Sequence, residues 1–248
     1  MDLRLAGKSA LVTGASKGIG LACARAFAAE GCPVHLASRS VDRLNAAAEQ
    51  IHTDFGVEAR PHAVDLRETG SAQALADACS DVEILINNAG DIPAGNIEGV
   101  NETRWRYAWD LKVFGFINLT REMLARMRPR GRGVIVNVIG MAGIHHPADY
   151  ICGAAGNAAL DAFTKAVGKE SILSGVRVVG VHPPATRTER IIQLNRMIAK
   201  QRFGDESRAD ELMSGVRMME PAQVADAVLF LASERAGYLS GVVLNLGA

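Results

Sequence analysis

The 248-residue sequence lacks an excess of charge of either sign, because 27 lysines and arginines are matched by 27 aspartates and glutamates. Without a basic surface or tail, nothing favours binding to nucleic acid or to an anionic membrane. The sequence also lacks the run of about 20 apolar residues that a membrane-spanning helix needs. It has no apolar N-terminal run typical of a signal peptide. These absences predict a soluble, cytoplasmic protein.

Cysteine is scarce and dispersed. Cys23, Cys32, Cys79 and Cys152 form no CxxC pair. Three of them stand among small apolar residues, a setting typical of buried thiols. Because the sequence shows no other cluster of metal-ligating residues, neither a disulfide nor a metal site is predicted.

Short apolar runs rich in Val and Ile alternate with longer helical patterns. Runs that are apolar on both faces are typical of strands buried in a parallel sheet. The predicted strands are 9–13, 33–37, 59–64, 84–87, 133–138, 176–181 and 242–246. The predicted helices are 18–30, 41–55, 71–79, 102–127, 157–173 and 222–232. This alternation, with no linker or repeat, predicts one α/β domain over residues 1–248, a Rossmann-like doubly wound parallel sheet flanked by helices.

Residues 185–219 interrupt the alternation after the sixth strand. Basic residues are interleaved there with apolar ones such as Ile191, Leu194 and Ile198. An insertion beyond the carboxyl end of a strand lies near the ligand crevice of such sheets, so this segment is a candidate substrate lid. The alternative is a pair of surface helices with a solvated charged face.

A glycine-rich turn, TGASKGIG at 13–20, joins the first strand to the first helix. Its spacing is GxxxGxG rather than the usual GxGxxG fingerprint. Glycines let the backbone turn tightly and let a pyrophosphate approach the helix N-terminus, where free N–H groups and the helix dipole favour an anion. The candidate cofactor contacts in this turn are Gly14, Ser16, Lys17, Gly18, Ile19 and Gly20.

Three further segments follow later strands: Asp65-Leu66, NNAG at 87–90, and 183–188. Together with TGxxxGIG, they resemble the short-chain dehydrogenase/reductase family over nearly the whole chain. The resemblance implies an NAD(P)-dependent oxidoreductase that acts on a carbonyl or hydroxyl group of a small molecule, and a homo-oligomer, either dimer or tetramer. It also implies that Asp65 and Leu66 flank the adenine. The other implied cofactor contacts are Asn88, Ala89 and Gly90 at the adenosine ribose, and Pro183 and Thr188 near the nicotinamide.

The end of the second strand favours NADP(H) over NAD(H). An NAD site usually has an Asp or Glu there, which accepts a hydrogen bond from the ribose 2′-hydroxyl. Here Ser38 and Arg39 occupy that region. Arg39 and Lys17 could pair with a 2′-phosphate, with Ser16 and Ser38 as hydroxyl donors. The alternative is that Arg39 is an ordinary surface arginine.

The reaction centre departs from the family pattern, in which Asn, Ser, Tyr and Lys surround the substrate carbonyl. Family spacing maps these four, in that order, onto Lys112, Gly140, Gly153 and Asn157. An alternative register places Tyr150 at the tyrosine position. That register leaves Ala154 at the position of the family lysine. It also requires the alignment with the family pattern to shift on both sides of Tyr150.

Polar groups nevertheless remain near this centre. Tyr150, Gly153 and Asn157 share one helical face at i, i+3 and i+7, and the phenol of Tyr150 could reach the space left free at Gly153. Lys112 should project toward the same space, where an ammonium could lower a phenol pKa or pair with an anionic substrate. His146, in the loop before, offers an imidazole. The alternatives are a packing role for Tyr150 and an exposed loop position for His146.

The leading functional hypothesis is an NADP(H)-dependent oxidoreductase with a rearranged catalytic set of Tyr150, Lys112, Asn157 and His146. Tyr150 or an imidazole would supply the proton, with Lys112 as its electrostatic partner. Two alternatives stay open, since a fold does not fix a function. One is a lyase or isomerase without net redox change, and the other is a non-catalytic NADP(H)-binding protein.

Overall fold

A seven-stranded parallel sheet forms the centre of the molecule in the computed structural model, which describes residues 2–247. The strand order is β3-β2-β1-β4-β5-β6-β7. The strands are β1 Ala10–Thr13, β2 Val34–Ser38, β3 Ala59–Ala63, β4 Ile84–Asn87, β5 Gly133–Val138, β6 Val176–His182 and β7 Val243–Asn245. All seven predicted strands are confirmed. The order reverses between β1 and β4, and such a switch point opens a ligand crevice at the carboxyl ends of the strands.

Helices cover both faces of this sheet. They are α1 Gly18–Ala29, α2 Val41–Phe55, α3 Ser71–Ala78, α4 Glu102–Trp109, α5 Gly115–Met127, α6 Ala142–His145, α7 Ile151–Ser171, α8 Glu189–Phe203 and α9 Pro221–Ala232. The predicted start of α7, at residue 157, is wrong. Glycines have a low helix propensity, so the sequence before residue 157 does not resemble a helix. Gly153 and Gly156 are instead close-packing positions, against Tyr150 and against Val113 and Trp109.

The predicted helix 102–127 is not regular. A π-helical turn, Asp110–Phe114, separates α4 from α5. It carries Lys112, whose side chain is buried. Such bulges inside helices are frequent at functional sites, since the extra residue re-aims one side chain.

The core consists of two apolar layers, one on each face of the sheet. Neighbouring strand residues point to opposite faces, so Val12 packs with Phe27 of α1, whereas Leu11 packs with Leu119 of α5. This arrangement explains why most positions of the central strands are apolar. Within residues 2–247, no helix is long and apolar enough to cross a membrane.

Residues 185–219 form a separate helical excursion from the end of β6. It contains α8 and a 3₁₀ segment, Glu206–Met213. Its base is closed because Arg187 N–H donates to Met219 O and Met219 N–H donates to Ala185 O, both at 2.9 Å. The guanidinium of Arg202 reaches Asp149, at 2.6 Å, and so ties α8 to the loop before α7.

Candidate active site

A cleft of about 1100 Å³ lies along the carboxyl edge of the sheet, from the N-terminus of α1 to Lys112 and Tyr150. Thirteen of the fifteen predicted cofactor contacts line it, namely Gly14, Ser16, Lys17, Gly18, Ile19, Ser38, Arg39, Leu66, Asn88, Ala89, Gly90, Pro183 and Thr188. Gly20 and Asp65 do not. Of the four predicted catalytic residues, the cleft is lined by Lys112, Tyr150 and Asn157.

The glycine turn is shaped as a cradle for an anion. Gly14 and Gly18 have φ of +66° and +58°, a region that favours glycine. A Cβ on Gly20 would lie 2.3 Å from the carbonyl oxygen of Gly14, so Gly20 allows the turn to pack on α1 instead of facing the cleft. Lys17, at the N-cap, makes no side-chain capping bond. The first N–H groups of α1 are therefore available to a phosphate, and the cleft fits a dinucleotide.

The NNAG segment is pinned to the first strand. Thr13 Oγ1 accepts hydrogen bonds from the backbone N–H groups of Asn88, at 2.9 Å, and Ala89, at 3.1 Å. The Asn88 side chain donates back to Thr13 O at 3.0 Å. These bonds hold the ends of β1 and β4 together, so the Asn88 side chain supports the cleft wall as well as lining it.

Asp65 does not face the cleft. Its carboxylate accepts from the guanidinium of Arg67 at 2.7 Å and from the Arg67 backbone N–H at 3.1 Å. The same guanidinium stacks on Tyr107, with its central carbon 3.8 Å from the ring centroid. The carboxylate of Asp65 thus pairs with Arg67, and its contact with the adenine stays a prediction. Val64 and Leu66 line the cleft there instead.

Basic side chains surround the end of β2. Lys17 Nζ lies 2.7 Å from Glu189 Oε2, and Arg43 reaches the same oxygen at 3.7 Å. Arg39 is exposed and donates to the hydroxyl of Tyr107 at 3.4 Å. The sequence analysis missed Arg43 and Glu189. The position of Arg43 in the first turn of α2 was an available signal, whereas Glu189 comes from a distant segment.

Lys112 is buried beside the centre of the cleft. Its Nζ donates to Val138 O at 2.7 Å and lies 4.5 Å from the centroid of the Phe116 ring. A Cβ on Gly90 would lie 3.0 Å from Lys112 Cδ, so the glycine makes room for the lysine chain. Burial, and secondarily the charge of Arg190, lower the pKa of Lys112 from 10.5 to about 7. The side chain therefore exists in both protonation states near neutral pH.

The ring of Tyr150 occupies the space that a side chain at position 153 would fill. A Cβ on Gly153 would lie 2.0 Å from Tyr150 Cε1, a distance that no real contact allows. The ring also packs with Cys152 and Trp109. Burial raises the pKa of the phenol, and the nearby guanidinium of Arg190 only partly offsets this. Tyr150 therefore remains a protonated hydrogen-bond donor at neutral pH.

Asn157 and His182 hold the carbonyl of Gly140, and Asp161 contacts His182; the sequence analysis missed His182 and Asp161. Asn157 Nδ2 donates to Gly140 O at 3.2 Å, and His182 Nδ1 lies 2.8 Å from the same oxygen. His182 Nε2 lies 3.1 Å from Asp161 Oδ1. Both ring nitrogens of His182 therefore face an oxygen atom. A histidine that directly follows the apolar run 178–181 at the carboxyl end of β6 was the available signal.

The sequence matches the model of the short chain dehydrogenase family over residues 8–199. The protein belongs to this family. It is 32% identical to galactitol 2-dehydrogenase (L-tagatose-forming) of Cereibacter sphaeroides, over 97% of this chain and 94% of that protein. It is 30% identical to the 3-oxoacyl-[acyl-carrier-protein] reductase FabG of Aquifex aeolicus, over 99% and 98%. The solved L-sorbose reductase of Gluconobacter frateurii, complexed with NADPH and L-sorbose, superposes with a TM-score of 0.90 at 31% identity, over 99% and 97%.

This short-chain dehydrogenase is an oxidoreductase that uses a nicotinamide dinucleotide. Its cleft does not include His146. That residue is exposed, has a φ of 51° directly after α6, and lies outside the cleft lining. The role of His146 as a proton donor therefore stays a prediction that no contact in the cleft supports.

Proposed function

We propose that this short-chain dehydrogenase is NADP(H)-dependent and interconverts a carbonyl and a hydroxyl group of a small molecule, with Lys112 as the residue that gives and takes the proton. The placement of Lys112 carries this proposal. It is a buried ammonium-bearing side chain that lines the cleft where β4 and β5 end. By family spacing, the usual Asn, Ser, Tyr and Lys positions hold Lys112, Gly140, Gly153 and Asn157, so the proton needs a different source.

The cofactor is assigned to the cleft from the α1 cradle to the reaction centre. Gly14, Ser16, Gly18 and Ile19 would hold the pyrophosphate at the N-terminus of α1. The other proposed contacts are Leu66 near the adenine, Asn88, Ala89 and Gly90 at the ribose, and Pro183 and Thr188 at the nicotinamide. When bound, the nicotinamide supplies or accepts the hydride.

The 2′-phosphate of NADP(H) would bind the basic side chains at the end of β2. Arg39, Lys17 and Arg43 lie at the end of β2, and no carboxylate stands in that strand end to repel a 2′-phosphate. Glu189, the first residue of α8, pairs with Lys17 and Arg43 at this rim. The NADPH complex of L-sorbose reductase, a relative of the same fold, supports the same preference.

The protein's own part in the reaction is the movement of a proton. A group with a pKa near the working pH is the most effective general acid and base, and the pKa of Lys112 is about 7. In reduction, its ammonium would protonate the substrate oxygen; in oxidation, its amine would take the alcohol proton. Val138 O accepts one N–H and fixes Nζ, which leaves the other positions for substrate.

Two neighbouring residues are given supporting parts. Tyr150, which stays protonated, would donate a hydrogen bond to the substrate rather than transfer its proton. Asn157 would fix the Gly140 turn that forms one wall of the site. Residues 185–219 are proposed as the substrate lid, because Arg190 of α8 lines the cleft and also contacts Asp91 and the carbonyl of Ile92.

The test is NADPH oxidation with a panel of ketoses, including L-sorbose and L-tagatose, and of 3-oxoacyl thioesters, the classes that the relatives' names indicate. The rate of reduction should fall as pH rises through about 7, because the ammonium of Lys112 is then lost. Lys112→Met should lower kcat at least about 1000-fold with NADPH affinity little changed, whereas Tyr150→Phe should cost about 10-fold.

Three results would count against the proposal. A Lys112→Met enzyme with wild-type turnover and the same pH profile would remove Lys112 from the reaction. A greater loss of kcat in Tyr150→Phe than in Lys112→Met would identify the phenol of Tyr150 as the proton donor. Tight binding of NADPH without turnover of any panel compound would favour a protein that has no redox reaction.

A further inference from the structure

Three side chains with metal-ligating atoms meet at the β3 edge of the sheet. They are His35 on β2, His62 on β3, and Cys79, which directly follows α3. His35 Nδ1 lies 2.9 Å from His62 Nε2, and Cys79 Sγ lies 3.3 Å and 3.6 Å from these two atoms. They are far apart in the chain, which is why the sequence analysis, looking for local spacing, predicted no metal site.

Hydrogen bonding alone serves this triangle poorly. An imidazole nitrogen carries either one hydrogen or one lone pair in the ring plane. If His35 Nδ1 and His62 Nε2 form a hydrogen bond with each other, one nitrogen donates its hydrogen and the other uses its only lone pair to accept it. Neither nitrogen then has a lone pair left to accept a hydrogen bond from the thiol of Cys79. A cation at the centre would instead use a lone pair of all three atoms at once.

The distances match those around a zinc ion. With Zn–N bonds of about 2.0 Å and Zn–S bonds of about 2.3 Å, the ligand atoms of a tetrahedral site lie about 3.3–3.6 Å apart. Only the pair of nitrogens, at 2.9 Å, is closer. The two imidazole planes are within 11° of parallel, so each ring must turn to aim at a common ion. That turn uses χ2 of histidine, a torsion with a broad minimum.

The surroundings allow a cation to enter. His35 and Cys79 are buried, whereas His62 is half-buried on the edge strand and gives access from solvent. None of the three residues lines the dinucleotide cleft. Two neutral imidazoles and one thiolate suit zinc, which prefers N and S ligands.

We propose that His35, His62 and Cys79 form a Zn²⁺ site whose fourth position is open to water. On binding, the thiol of Cys79 releases its proton to solvent and its sulfur bonds to the ion, with no change of oxidation state. The ion would tie the edge strand β3 and the end of α3 to β2. The site is independent of the proposed redox reaction.

The test uses the full chain, stripped with a chelator and titrated with Zn²⁺ alone by calorimetry and metal analysis. About one ion per chain should bind, and saturating Zn²⁺ should raise the melting temperature by a few degrees. His62→Gln and Cys79→Ser should each weaken binding at least about 100-fold. His52→Gln, an exposed histidine on α2, is the matched control and should bind as the wild type does.

Cobalt substitution adds a readout for the sulfur. A thiolate-to-cobalt charge-transfer band in the wild type that is absent in Cys79→Ser would support direct ligation. Binding of far less than one ion per chain would overturn the site. Undiminished zinc affinity in both His62→Gln and Cys79→Ser, or a cobalt spectrum without the thiolate band, would overturn it equally.

Discussion

Replacing Lys112 by methionine should stabilise the protein below neutral pH even as it removes the proton donor. The pKa of Lys112 falls from 10.5 to about 7. At about 1.4 kcal/mol per pKa unit, burying the ammonium therefore lowers the free energy of unfolding by about 5 kcal/mol. Methionine has nearly the same length and carries no charge. It leaves Val138 O without the 2.7 Å bond, a loss of about 1–3 kcal/mol. The expected net gain at about pH 6 is therefore about 2–4 kcal/mol.

The gain must depend on pH in one direction. Between about pH 7 and pH 10.5, this lysine is protonated in the unfolded chain but not in the native protein. Because the unfolded state binds more protons there, the stability of the wild type rises with pH, by about 1.4 kcal/mol per unit relative to the methionine variant. The advantage of Lys112→Met should thus shrink steadily above neutral pH and be lost by about pH 9.5.

Urea unfolding of the cofactor-free protein at about pH 6, 7.5 and 9 measures this difference. Lys200→Met is the control, because that lysine is exposed, with 67% of its side chain accessible, and pairs with Glu206 at the surface. Its effect should be small and nearly constant over the same range. The conclusion that a buried ammonium destabilises the protein would be refuted in two cases. One is a Lys112→Met protein that is less stable than the wild type at pH 6, and the other is a stability difference that does not change with pH.

Three further substitutions test other contacts. Arg39→Ala should raise the Kd for NADPH about 10-fold, with NADH affected less than about two-fold, in fluorescence titrations; equal losses would contradict a phosphate contact. Gly153→Ala should cost about 2–3 kcal/mol in urea unfolding, since its Cβ would overlap the Tyr150 ring at 2.0 Å, and Tyr150→Ala should relieve most of that cost; additive losses would contradict the contact. His182→Leu should cost about 1–3 kcal/mol, because it removes the contacts to Gly140 O and to Asp161 while Lys165 still pairs with Asp161; an unchanged melting temperature would show that the His182 contacts are not needed.

The fold could be predicted because its signals are local. Strands buried on both faces must be apolar throughout, and the turn at 13–20 is marked by glycines whose conformations only glycine adopts readily. The start of α7 could not be predicted in this way. Gly153 and Gly156 weaken a helix by propensity, and only their packing makes them favourable: Gly153 packs against the Tyr150 ring one turn earlier, and Gly156 packs against Trp109 from a distant part of the chain.

The cofactor half of the candidate site was predictable where a residue directly follows a strand. Asn88 and Pro183 reach the cleft as expected, since the carboxyl ends of parallel strands share one edge of the sheet. Lys112 and Asn157 also reach the cleft, but from the π-helical turn and from α7. Asp65 and His146 are not among the lining residues: Asp65 pairs with Arg67, and His146 is exposed. These effects depend on local geometry that residue spacing does not encode.

The contacts around Gly140 and Gly153 indicate a reaction centre that was remodelled for function rather than one that lost its function. The space above Gly153 is filled by the Tyr150 ring. The carbonyl of Gly140 is held by Asn157 and by His182. Within residues 2–247, the buried side-chain atoms that lack a partner belong to Ser9, Arg67, Asn87, Arg130 and Ser171, and none of these supplies a reacting group here. Loss of function removes the penalty for voids and unpaired groups, so a centre in which each replacement is compensated by another is what continued selection for a reaction would maintain.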